Sequence, residues 1–239
     1  MKAYIPGLLC LLLAGCASEP AAKREAAAPE VKKEEPKAEV KAPEAKKVET
    51  PKPEVKKAEK KEEKKTEAPN LAGVFKVKFE TSKGPFVMEV HRDWAPLGVD
   101  RFVALVKSGY FNQARFFRVV PNFIIQFGLA ASPAVTKKWD KAIQDDPVTQ
   151  TNRVGSVTFA TAGKNTRTTQ LFINLRSNQM LDSQGFAPFA QVIEGMDVVE
   201  KLYPGYGESP DQQAITMRGN SYIEASFPKL DFIKSATIQ

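Results

Sequence analysis

All 15 phenylalanines and both tryptophans lie after residue 70, and the sole aromatic ahead of them is Tyr4. A packed interior needs large apolar side chains, so the fold must be built from residues 70–239. That span is long enough for one domain with a sizeable core. Residues 17–69 hold 14 Lys, 1 Arg, 13 Glu, 7 Pro and 11 Ala, with no Gly and no aromatic. Such a segment cannot bury enough apolar area to offset chain entropy and is expected to be disordered. It is weakly repetitive: PEVKK at 29–33 returns at 53–57, with PEAKK at 43–47 between them. Fully extended it would reach about 160 Å at about 3.1 Å per residue. As a flexible coil it would average about 40 Å. The Pro-free stretch 54–67 can form a fraying helix of Lys/Glu pairs. The segment reads as a tether holding a domain off a membrane. A peptidoglycan-binding arm and a plain solvated tail are the alternatives.

The formal charge of +7 and pI near 9.3 suggest an anionic partner when taken whole. Divided along the chain the charge becomes +1 in residues 1–16, +2 in the tether and +4 in the domain. That spread does not call for nucleic acid. One His and two Cys exclude a His/Cys metal cluster and an intrachain disulfide framework. No metal or other cofactor is expected.

Lys2 precedes a short apolar run at 7–13, which ends in Ala14, Gly15 and Cys16. The run is too short to span a bilayer and reads as an export signal. Leu13-Ala14-Gly15-Cys16 resembles the lipobox of bacterial lipoproteins, which implies that Cys16 is lipidated and becomes the first mature residue. Cys10 would leave with the signal. Ala17 after the Cys implies the outer membrane, and several acyl chains make a durable anchor. The expected organisation is a signal peptide at 1–15, lipidated Cys16 with the tether at 16–69, and a folded domain at 70–239.

Within the domain, residues 74–80 alternate, placing Phe75, Val77 and Phe79 on one face of a half-buried strand. Turn residues at 81–85 lead into a second alternating strand with Phe86, Met88 and Val90. Leu97, Val99, Phe102, Val103, Leu105 and Val106 have helical spacing, ended by Ser108-Gly109. Short strands are predicted at 116–120, 123–127, 155–162, 171–175 and 189–192, and a second helix at 194–202. Many short strands with two helices predict a mainly β fold, a closed antiparallel barrel with capped ends.

Three blocks carry a family resemblance: RFFRVVPNFIIQ at 115–126, GSVTFATAGKNTRTTQLFIN at 155–174, and Leu181-Asp182 with FAQVIEGM at 189–196. In this order and spacing they resemble the cyclophilin-type peptidyl-prolyl cis-trans isomerases. The resemblance runs from about 75 to 227. It implies an eight-stranded antiparallel barrel closed by two helices, with the active groove on its outside. Residues 202–231 resemble an extension found in part of the family.

Isomerisation of an X–Pro bond needs no metal, covalent step or general base. The barrier of about 18–20 kcal/mol is amide resonance, and a catalyst must favour the twisted amide with a pyramidal, basic nitrogen. A permanent cation with N–H donors in a planar fork suits that task. By resemblance, Arg118 is the catalytic Arg and Gln126 its catalytic brace, with Gln170 bracing it or contacting substrate backbone. Phe123, Phe172 and Leu181 match positions that form the proline socket, where Ile124 stands for the usual Met. Ala160 and Thr161 match the site of the residue before proline. Independently of the family, Phe172 shares a strand face with Gln170 and Asn174, as an aromatic at a surface groove would. Departures from the family pattern are Phe117 and Phe186 at common His positions, Thr161 for Asn, Lys164 for Pro, and Met180 near the usual Trp. Cyclosporin binding, which leans on that Trp, is expected to be weak. Phe186 is kept among the substrate-binding residues. Arg115 reads as a solvated loop charge, His91 as a surface residue beside Glu89, and Trp94 and Trp139 as packing residues.

The expected function is a lipid-anchored prolyl isomerase that faces the periplasm from the outer membrane and assists folding of exported, proline-containing polypeptides. A non-catalytic proline-peptide binding module or holdase on the same tether is the alternative. A structural wall-spanning lipoprotein is a third reading.

Overall fold

The computed structural model describes residues 71–239. The lipidation and tether expectations lie outside the described residues. The chain opens with the expected hairpin, β1 (Val74–Thr81) and β2 (Gly84–His91). Period-two alternation sets its register: Phe75 faces Val90, Val77 faces Met88 and Phe79 faces Phe86. The Phe79 and Phe86 rings stack with centroids 5.0 Å apart. Helix α1 (Pro96–Lys107) starts with its proline in the first turn, where no N–H is missed. It buries Val99, Phe102, Val103, Leu105 and Val106.

The remaining strands are β3 (Arg118–Val120), β4 (Ile124–Phe127), β5 (Ser156–Phe159), β6 (Leu171–Asn174), β7 (Pro188–Glu194) and β8 (Ile233–Ile238). They form one eight-stranded sheet in the order β3-β4-β6-β5-β7-β2-β1-β8, antiparallel at every pairing. Its inner face is filled by phenylalanines. Phe102 and Phe159 lie 5.0 and 5.2 Å from Phe189, and Phe116 lies 5.3 Å from Phe127.

The sheet departs from the expected closed barrel: it is an open half-barrel, with β3 and β8 as its terminal strands. Between the two ends there is an isolated Arg115–Phe232 bridge. Three backbone bonds accompany it: Gln113 N–H to Ile233 O at 2.7 Å, Ile233 N–H to Ala114 O at 2.9 Å, and Phe116 N–H to Asp231 O at 3.0 Å. The ladder goes no further because β3 has three residues and its outer edge is already engaged. Val119 N–H donates to Gly207 O, in the segment after β7.

The helical part also exceeds the two expected caps. The second cap is α3 (Met196–Glu200), shorter than predicted because Gly195 stands before it in the left-handed region (φ 76°). Three helices were not anticipated: α2 (Pro133–Trp139), α4 (Gln212–Arg218) and α5 (Asn220–Ser226). Between α4 and α5 stands Gly219, at φ 60°, where a Cβ would collide with the Ala131 carbonyl. That carbonyl accepts from Asn220 N–H at 3.0 Å. Ile215 and Ile223 join Phe117, Leu129 and Leu230 in a second, smaller core, with Tyr206, Tyr222 and Phe227 at its margin. Phe117, where the family resemblance implies a polar His, is therefore buried beneath the extension.

Two buried polar groups tie loops to this frame. Asp146 accepts from Leu97 N–H at 3.0 Å and Gly98 N–H at 2.8 Å, and pairs with Arg167 Nη2 at 3.0 Å. The Arg167 and Asp146 side chains are 3% and 1% exposed. The Arg167 guanidinium also reaches Asp145 at 3.3 Å and the Gln144 carbonyl.

Tyr110 is the second. Its hydroxyl donates toward Gly128 O at 3.2 Å and lies 3.0 Å from Thr169 Oγ1. Burial, partly offset by the Thr169 bond, raises its pKa above the usual 10.0. A group whose folded-state pKa is raised contributes stability that is complete below its unfolded value. That stability is lost as pH climbs through the folded value. The urea midpoint of the wild type should therefore fall above pH 10.0 by more than that of Tyr110→Phe. Parallel falls in the two proteins would rule Tyr110 out as the cause.

Candidate active site

Strands β3, β4 and β6 lie side by side, pairing Arg118 with Gln126 and Gln126 with Phe172. The alternation that turns Val119, Ile125, Leu171 and Ile173 into the core turns Arg118, Ile124, Gln126 and Phe172 outward. The outward set floors a groove of about 410 Å³. All ten residues singled out in the sequence line it: Arg118, Phe123, Ile124, Gln126, Ala160, Thr161, Gln170, Phe172, Leu181 and Phe186.

One end is apolar. Ile124, Phe172 and Leu181 form a buried cluster, with Phe123, Ala160 and Phe186 packed against it. The Phe172 and Phe186 rings meet edge to face, centroids 5.6 Å apart. A buried polar network sets these walls. Asn178, inside it, donates to the Phe123 carbonyl at 3.1 Å and to Asn174 Oδ1 at 2.8 Å. Asn152 donates to Asp182 Oδ1 at 2.7 Å and to the Phe186 carbonyl at 2.8 Å. Leu181 thereby enters the groove from the 3-10 helix Gln179–Gln184. Met180, on the same helix, is half exposed and outside the groove lining.

The other end is polar. Arg118 Nη1 donates to Gln126 Oε1 at 3.2 Å, and Gln126 Nε2 donates to Gln170 Oε1 at 2.8 Å. Arg118 Nε donates to Glu208 Oε1 at 2.7 Å, and Nη2 reaches the same oxygen. Three of the five guanidinium N–H bonds are thus spent on side chains, and two remain. The Arg118 Cζ lies 5.9 Å from the Phe123 ring centroid, so the cation borders the apolar end.

Other expectations fare differently. Thr161 Oγ1 is engaged within its own loop by the Gly163 carbonyl and by Thr166 Oγ1 at 2.8 Å. Arg115 is not a solvated charge. It is 12% exposed, bonds Glu224 at 3.0 Å and lies 4.7 Å from the Phe232 ring centroid, because the extension folds back over it. His91 bonds Glu89 at 3.0 Å and stacks on Trp94. Trp139 packs beneath Tyr110 and Arg101.

Sequence reasoning missed Ala162, Thr166, Thr168 and Gln212 as lining residues, and Glu208 as the partner of Arg118. The extension around Tyr203 and Glu208 was visible as a segment, but nothing in its pattern assigned it a wall of the groove.

The site is thus an outward groove on an open antiparallel half-barrel, with a cation at one end and an apolar socket at the other. The description "cyclophilin type peptidyl-prolyl cis-trans isomerase" belongs to the family model that matches residues 76–219. A peptidyl-prolyl cis-trans isomerase of Acinetobacter baylyi is 33% identical over 132 residues, covering 53% of this chain and 70% of the relative. Peptidyl-prolyl cis-trans isomerase A of Dickeya dadantii is 32% identical over 139 residues, with the same coverages. In fold, the crystal structure of a Cryptosporidium parvum cyclophilin superposes with a TM-score of 0.52 at 23% identity, over 70% of this chain and 98% of that one. The same cyclophilin has been crystallised in the presence of the dipeptide Ala-Pro. The chain belongs to the cyclophilin-type peptidyl-prolyl cis-trans isomerase family.

Proposed function

We propose that this isomerase acts on exported, proline-containing polypeptides, seats the proline ring among Phe123, Ile124, Phe172, Leu181 and Phe186, and uses Arg118 to stabilise the twisted amide. The observation that carries the reading is the adjacency of one oriented guanidinium to one apolar socket. Burying a proline ring in the socket supplies binding free energy common to the planar and twisted amide. The two unspent Arg118 donors supply what differs, since the prolyl nitrogen becomes a good acceptor only when resonance is lost. Gln126 holds the guanidinium from inside, and the amide of Gln170 is left to meet substrate backbone.

The same proposal places the protein at the outer membrane facing the periplasm, anchored through Cys16 on the 17–69 tether. The support for the anchor is the Leu13-to-Cys16 motif after a short apolar run, and for the outer membrane it is Ala17, a residue other than Asp after the Cys.

The test is cis-to-trans exchange of an Ala-Pro peptide by the chain from Ala17 onward. Binding without exchange would favour a proline-peptide binding module or holdase instead. For the anchor, Cys16→Ser should abolish labelling by a fatty acid and move the protein out of the membrane fraction. Retention of both would exclude Cys16 as the lipid site.

A further inference from the structure

The Arg118 side chain is gripped from two sides, and one grip comes from outside the barrel. Gln126, on the neighbouring strand, takes Nη1. Glu208 takes Nε and Nη2 through one carboxylate oxygen. Glu208 lies in the extension, and three features fix the extension there. Val119 N–H, next to Arg118, donates to Gly207 O at 3.3 Å, next to Glu208. Tyr203 N–H donates to Asp231 Oδ2 at 2.8 Å, and Asp231 Oδ1 accepts from Ser82 Oγ at 2.7 Å, so both ends of the extension meet the frame at one carboxylate. Tyr206 packs on the second core, with its ring 5.1 Å from Phe227. The carboxylate is therefore delivered to the guanidinium by a built scaffold, and Gln212 from the same segment lines the groove.

From this arrangement we infer that Glu208 is a positioning residue for Arg118, which makes the extension part of the catalytic apparatus. The inference rests on the proposed role of Arg118. An arginine on an edge strand has several rotatable bonds, and its unspent donors aid the twisted amide only when they point into the groove. Gln126 alone fixes one nitrogen and leaves the guanidinium plane free to turn about that bond. Glu208 fixes the opposite edge of the plane. The side chain is then set before substrate arrives, and none of that ordering is left to the reaction itself. The carboxylate is 62% exposed, so its effect is orientation and not deep electrostatic stabilisation.

The test uses the chain from Ala17 onward with Glu208→Gln and Glu208→Ala, read in two independent ways. The first is exchange kinetics on an Ala-Pro peptide, with kcat and KM separated. Both variants should lower kcat by about 5- to 10-fold with KM unchanged, as expected for lost orientation at a site that still binds. In an Arg118→Lys background, Glu208→Gln should have no further effect. The second readout needs no catalysis: the Arg118 Nε–H NMR resonance should shift and lose its protection from solvent exchange in both variants. Unchanged kcat, or an equal loss in the Arg118→Lys background, would overturn the inference. So would an Arg118 resonance indifferent to Glu208. Failure of the functional reading looks different: the wild type would show no exchange, while its Arg118 resonance still responded to Glu208→Gln.

Discussion

Replacing Arg118 by alanine lowers kcat/KM for prolyl exchange by about 10²–10³, the effect expected from loss of one preorganised donor to a transition state. That factor corresponds to about 2.7–4 kcal/mol of transition-state stabilisation. The loss should fall mainly on kcat. The proposed proline socket, Ile124, Phe172 and Leu181 with Phe123 and Phe186 at its rim, is an apolar cluster that does not include Arg118. The fold should survive, since Arg118 lies on a strand of three residues and its side chain faces the groove. Arg118→Lys should recover little, because an ammonium cannot serve Gln126, Glu208 and the substrate from one plane. Exchange spectroscopy gives the rates, and near-UV dichroism checks the fold. A wild-type rate in Arg118→Ala would remove this residue from the mechanism.

Asp146→Ala should destabilise the domain by about 3–5 kcal/mol, because it takes the buried carboxylate from a buried guanidinium and leaves it only the partly exposed Asp145 and the Gln144 carbonyl. Against a total stability of about 5–15 kcal/mol this is a severe loss. It corresponds to a fall in melting temperature of about 6–20 °C for a domain of this size. Two N–H groups at the start of α1 lose their acceptor in the same step, so the helix loosens along with the loop. The residue before Thr168, a lining residue, is Arg167 itself, so activity should fall in parallel with stability. Replacing Asp146 and Arg167 together by apolar residues should cost less than Asp146→Ala alone, since no orphaned charge remains. Denaturant titration of the three variants measures this. A loss below about 1 kcal/mol for Asp146→Ala would mean that Asp145 takes over the pairing with Arg167.

How much of this was legible in the sequence depended on the range of the interaction. The β1–β2 hairpin could be read because alternation runs along two strands of eight residues each and the turn chemistry falls between them. Helix α1 announced itself through Val99, Phe102, Val103, Leu105 and Val106 on one face, whereas Leu97, read with them, is exposed. By contrast, α2, α4 and α5 have seven residues each, and α4 and α5 each bury a single apolar residue, so periodicity had nothing to accumulate over. Strand β8 buries Ile233 fully and leaves the rest partly or wholly exposed, which gives an edge strand with little hydrophobic signature. The site residues were legible through their family resemblance and through the placing of Phe172 among polar neighbours. What escaped was long-range: Glu208 lies 90 residues from Arg118, and Asp146 lies 21 from Arg167. Ion pairs at such separations leave no local pattern. Nor did any pattern show that β3 would spend its outer edge on the extension, which leaves the half-barrel open.

Asp231 brings the extension back to the place where it left, so residues 203–231 form an excursion with coincident ends. The entropic cost of closing such a loop grows only with the logarithm of its length. Residues can be added or removed within it while the strand order of the domain stays untouched. The groove therefore has a floor of barrel strands, where substitutions disturb the main core, and a margin at Gln212 supplied by the insert, which packs on a smaller core of its own. Variation in substrate preference can accumulate at the exposed positions of that insert at little cost to the main core, which makes this isomerase adjustable by exchange of a segment.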